Sequence, residues 1–91
     1  MILTLQEARD VLRIDGEDND SIISSLLDAI PSYLETTTGY SWDIEPIHPL
    51  AKQVSKFILQ LWYAPHDTDK LQKVIDKLLI VLTSLGRDYK S

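Results

Sequence analysis

Between residues 22 and 34 the apolar side chains recur with helical spacing, and a proline stands inside the run. Ile22, Ile23, Leu26, Leu27, Ile30, Tyr33 and Leu34 fall within an arc of ~140° when successive residues turn by roughly 100°. Ser24, Asp28, Ser32 and Glu35 occupy the other side. A stripe this broad has to be buried against other elements, so the chain must supply partner helices. Pro31 removes one backbone N–H and crowds the carbonyl of Leu27. The apolar face continues past it in phase, which predicts a kinked helix over about 19–38, closed by Gly39 in the C′ position.

Three further helices follow from the same reasoning. Thr4-Leu5-Gln6-Glu7 is a capping-box sequence, with Leu3 placed to staple onto Ala8, and it opens a helix over about 4–13. Asp15-Gly16 ends it and begins an acidic loop, with Asp18 or Asn19 as the N-cap of the second helix. Residues 40–49 carry Pro46 and Pro49 and read as a connection in which Trp42, Ile44 and Ile47 alternate. A third helix is expected over about 49–64, with Pro49 in its first turn and Leu50, Val54, Phe57, Ile58 and Leu61 on one face. The fourth, over about 68–85, shows Leu71, Val74, Ile75, Leu78, Leu82 and Leu85 to the core, with Gly86 at its end. The expected fold is all-α, a compact bundle of four helices forming one domain over residues 1–91.

Composition narrows the function. With 44% apolar and 25% charged residues the chain is an ordinary globular domain. It has no Cys, which excludes a disulfide scaffold and a Cys-based metal site and fits a reducing cytoplasm. The opening Met-Ile-Leu-Thr leads into a helix signal and not into a signal peptide. The longest strongly apolar stretch, Leu78 to Leu82, is far short of the about 20 residues of a membrane span. The net charge of −5 disfavours gripping DNA or RNA phosphates, yet suits a wall that DNA slides past.

Candidate chemistry is sparse. His48 and His66 are the usual type of base, but each lies in a loop beside a proline with no nucleophile arrangement nearby. Two unrelated histidines do not make a zinc site. In the acidic loop Gly16 directly follows Asp15, which breaks the spacing of a calcium-binding EF-hand. The three glycines are isolated, so no phosphate-cradling loop exists. No catalytic, cofactor or metal site is expected, and the chain reads as a non-enzyme. Arg9 and Arg13 would share a helix face as a solvated or ion-paired pair, or as a phosphate contact. Trp62-Tyr63 reads as a core or interface pair ahead of a base-stacking platform. Lys70, Lys73 and Lys77 on the fourth helix are the best candidate for the alternative reading, a small helical DNA-binding or regulatory module, though Asp69 and Asp76 dilute them.

The third and fourth helices carry more apolar residues than one face can absorb. Leu59 projects ~180° from Leu50, with Tyr63 nearby, and Ile80 projects ~180° from Leu71. A central third helix buried all round would account for Leu59. A subunit interface is the reading preferred for Ile80, since a terminal helix is seldom covered on both sides. Leu59, Tyr63 and Ile80, together with Arg87 and Tyr89 of the tail, are the expected subunit or partner contacts.

Leu3 to Ala8, Val11-Leu12-Arg13-Ile14-Asp15 and Asp18 to Asp20 resemble the opening of the phage head–tail connector (head-completion adaptor) family, typically T-L-x-E-A-K-x-x-L-R-I-D followed by an acidic loop. Ile23 to Leu27, Asp28-Ala29, Tyr33-Leu34-Glu35 and Thr38-Gly39 match the family's second helix, and Leu61-Trp62-Tyr63 its aromatic pair. Leu82, Leu85 and Arg87 loosely match its tail. Pro31 stands where the family usually has a helix former, and Ala64-Pro65-His66 replaces a charged run. The resemblance implies a structural virion protein of phages and prophages. It implies copies forming a ring, usually a dodecamer, under the portal protein at the head–tail interface after assembly in the host cytoplasm. Such a ring extends the DNA channel and offers a docking surface for the next connector or stopper protein. A ring of this kind joins one patch to a different patch on the neighbour.

Overall fold

In a computed structural model, which describes residues 1–65 and 67–90 and side chains as far as Asp88, the chain folds as four helices. They are α1 (Leu5–Leu12), α2 (Asp20–Thr38), α3 (Pro49–Tyr63) and α4 (Thr68–Lys90). α2 and α3 pack on each other, and α1 and α4 each pack on both. The backbones of α1 and α4 stay apart and the two helices flank the α2–α3 pair, with Val11 and Leu12 facing Lys70 and Leu71 across a cleft. The core is built from Ile23, Leu27, Ile30 and Leu34 of α2, Val54, Ile58 and Leu59 of α3, and Ile75 and Leu82 of α4. Ala8 of α1 and the extended Ile2-Leu3 segment close it from the amino-terminal side.

The local signals explain most element ends. The Glu7 N–H donates to Thr4 Oγ1 at 3.1 Å, and the Thr4 N–H donates to Glu7 Oε1 at 3.0 Å, completing the capping box. The second Glu7 oxygen accepts from Lys52 Nζ of α3 at 2.8 Å. That hydrogen bond, helped by the Thr4 backbone, holds the Glu7 carboxyl below its ordinary pKa. α1 stops at Leu12 because Arg13 takes a left-handed conformation, φ 58°, and its N–H returns to the carbonyls of Arg9 and Asp10. Arg13 therefore leaves the helix and does not share a face with Arg9. Arg9 instead forks onto the Asp20 carboxylate at the start of α2, with Nε at 3.1 Å from Oδ1 and a guanidinium nitrogen on Oδ2. This bonding raises the Arg9 pKa.

α2 runs continuously through Pro31, so the proline does not end it. Gly39 caps it at φ 82°, with its N–H on the Glu35 carbonyl at 2.8 Å. Asn19 occupies the N-cap position without making a side-chain cap; its Nδ2 donates to the Tyr63 hydroxyl at 2.9 Å instead. In the following connection Trp42 turns inward and donates from Nε1 to Thr38 Oγ1 at 3.0 Å. Ile47 is half-buried, but Ile44 points outward, so the expected alternation holds for only part of the segment. The Glu45–Pro46 peptide is cis. His48 is the N-cap of α3: its Nδ1 accepts from the Leu50 N–H at 3.1 Å, and its ring lies edge-on to Trp42.

Two helices depart from the wheel reading. On α3 the fully buried residues are Ala51, Val54, Ser55, Ile58 and Leu59. Their centre is rotated by roughly 80° from that of the expected face of Leu50, Val54, Phe57, Ile58 and Leu61. The small side chains at 51 and 55 are fully enclosed, while Leu50, Phe57 and Leu61 are only half-buried. α4 does not end near residue 85 but continues to Lys90. Gly86 is not its cap. A Cβ at Gly86 would lie 2.2 Å from Tyr40 Cδ2, so the glycine makes room for the Tyr40 ring against the helix.

Candidate interaction surface

α3 packs on all three other helices, and that decides the position of Leu59. It is fully enclosed by its own chain. It belongs to the core, and the expected role as a surface contact does not fit this placement. Tyr63, also on α3, is half-buried, and its hydroxyl accepts the Asn19 bond that ties the acidic loop to the end of α3. Its neighbour Trp62 is partly exposed and stands edge-on to Tyr33 of α2, with ring centres 5.3 Å apart.

Ile80 lies on the outward side of α4 and is 70% exposed, the most exposed of the large apolar side chains. Lys73 and Arg87 stand seven residues before and after it, so the three share a line along the helix. Val74 and Val81 run beside that line and are also exposed, at 41% and 42%. Lys70 and Lys77 complete the surface and are exposed. Asp76, one turn before Ile80 on the same face, accepts from Gln72 at 2.8 Å, and exposed Asp69 lies on the same line. The side chain of Tyr89, and His66 as a whole, lie outside the described residues.

The sequence pattern did not mark every exposed apolar residue. Ile22 belongs to the α2 stripe on the wheel yet is 56% exposed, because it lies at one edge of that stripe in the first turn. Ile44 is 62% exposed at the mouth of a cleft of ≈ 780 Å³ between the 40–49 connection and α4. Tyr40, Trp42, Pro46 and His48 line it, with Gly86 at its back. No periodicity marks such a loop cleft, although the density of proline and aromatic residues there was visible.

Among the described residues, no group of three or more His, Asp or Glu side chains is placed to hold a metal ion. No helix among them is long and apolar enough to cross a membrane. What stands out is surface: an α4 face that combines lysines with bare aliphatic side chains, carried on a rigid helix.

Comparison with curated proteins and with solved structures gave no match. The family model for phage gp6-like head-tail connector proteins matches residues 2–78. The matched segment takes in α1, α2, α3 and the first half of α4, and stops just before Ile80. The chain belongs to the phage gp6-like head-tail connector family.

Proposed function

We infer that this chain is a structural component of the phage head–tail junction, and that it works by assembling with protein neighbours and not by catalysis. The family match over residues 2–78 carries this reading. Copies of the chain form a closed ring, a dodecamer in the virion, beneath the portal protein. The ring lengthens the DNA channel and receives the next connector or stopper protein. Assembly takes place in the host cytoplasm, and the finished protein resides at the head–tail interface of the particle.

The physical character of the chain agrees with such a role. Its net charge of −5 repels the DNA backbone, so a channel built from it lets DNA pass without sticking. A closed ring needs two different contact patches on each copy. Ile80 and Arg87, with Tyr63 and Tyr89, are the proposed contact residues, and Ile80 is the anchor because it is large, apolar and bare. The test is co-purification with the portal protein of the same phage. Stable capture of the chain by assembled portal rings is expected, and the absence of any capture would overturn the connector role.

A further inference from the structure

The charges of this chain are divided between its parts. Residues 68–90, which form α4, hold five basic and three acidic residues, a net of +2. Residues 1–67 hold four basic and eleven acidic residues, a net of −7. The ion pairs among described residues are Met1–Asp43, Arg9–Asp20 and Glu7–Lys52. None involves Lys70, Lys73 or Lys77, and none involves Asp15 or Asp18 of the α1–α2 loop. The α4 lysines flank exposed Ile80, Val74 and Val81, and the acidic loop leads directly into exposed Ile22. Each patch thus joins a surplus of charge of one sign to bare aliphatic surface: Asp69 and Asp76 offset part of the α4 lysines, and Arg13 part of the loop carboxylates.

We propose that the outward face of α4 on one copy docks against the α1–α2 corner of a second copy, with Lys73 and Lys77 facing Asp15 and Asp18, and Ile80 packing beside Ile22. This rests on the ring reading above and assigns its two surfaces. α1 and α4 pack on the α2–α3 pair, and where they come nearest, Val11 and Leu12 share a cleft with Lys70 and Leu71; Lys73, Lys77 and Ile80 are not among the residues that line it, so they form a patch distinct from the α1–α2 corner. Joining them is a head-to-tail contact, the type that closes into rings. Opposite charges steer the copies together and fix register, while the aliphatic pair supplies desolvated area. The acidic 43–45 segment is the weaker acceptor, because the Met1 ammonium already occupies Asp43 at 2.5 Å.

The test is sedimentation of the purified full chain over rising concentration, with charge-reversed variants of exposed side chains whose folding is checked by circular dichroism. The wild type should associate, and less so between about 0.05 M and about 0.5 M salt as screening shortens the reach of the charges. Lys73→Glu with Lys77→Glu should weaken association by on the order of tenfold or more, as should Asp15→Lys with Asp18→Lys. Carrying both reversals in one chain, or mixing the two variants, should restore it. Association that every reversal leaves intact would overturn this pairing while leaving the ring standing. A wild type that stays monomeric throughout would also overturn it, and portal capture would still judge the connector role separately. A low-salt shift of duplex DNA that Lys73→Glu with Lys77→Glu abolishes would reassign the lysine face to nucleic acid and overturn the proposal.

Discussion

Leu59 and Ile80 looked alike in the sequence, each an apolar residue on the wrong side of its helix wheel, yet one is fully buried and the other 70% exposed. The wheel measures direction from one helix and carries no knowledge of how many neighbours that helix has. α3 is packed by three helices and α4 by two, and this alone separates the pair. Leu59→Ala should therefore destabilise the isolated chain by about 2–5 kcal/mol in a urea titration, as core truncations do. Ile80→Ser should change monomer stability by no more than about 0.5 kcal/mol, as surface substitutions do. Equal effects from the two would contradict the placement. Gly86 makes a second residue-level case. It read as a helix stop and is instead a seat for the Tyr40 ring, which sequence spacing cannot reveal because the contact spans 46 positions. Gly86→Ala favours helix intrinsically, yet it should cost about 1–3 kcal/mol because the added methyl overpacks against the ring. A neutral or stabilising result would remove that contact from the account.

The legible elements were those whose ends carry local chemistry. The capping box, the Gly39 cap and the Pro49 start all act within a few residues, so α1, the end of α2 and the start of α3 could be read directly. The buried face of α3 could not, because large side chains dominate a wheel whereas small Ala51 and Ser55 are among the fully buried residues. Glu7 links α1 to α3 through Lys52 and gives the α1–α3 contact a pH dependence. Its folded carboxyl titrates below the ordinary value of 4.5, so below that value the unfolded chain binds more protons than the folded one. The stability this pair adds is therefore present above pH 4.5 and is lost as pH falls through the folded value. Thermal melts of the wild type should drop across that acid window, and Glu7→Gln should flatten that part of the drop; identical acid profiles would contradict the assignment. Pro31 tests α2. A mid-helix proline costs roughly 3 kcal/mol, and the unfolded-state restriction it imposes returns about 1. Pro31→Ala should accordingly stabilise the chain by about 2 kcal/mol in the same titration, and a loss of stability would show that the proline is needed for packing.

At the scale of the whole molecule, four short helices bury one core and leave one rigid face of α4 unpartnered. The acidic balance was plain from composition. Its division between α4 and the rest became meaningful once the fold placed α4 on one flank of the α2–α3 pair, with its lysines turned outward. An exposed aliphatic and basic helix face and membership of the gp6-like connector family both fit the proposed role in assembly. The most direct measurement is electron microscopy of portal rings, purified from the same phage, after incubation with this chain. The account predicts an added ring of density beneath the portal, with repeated subunits in lateral contact around the channel. Portal rings that remain unchanged at saturating concentrations of the chain would contradict it.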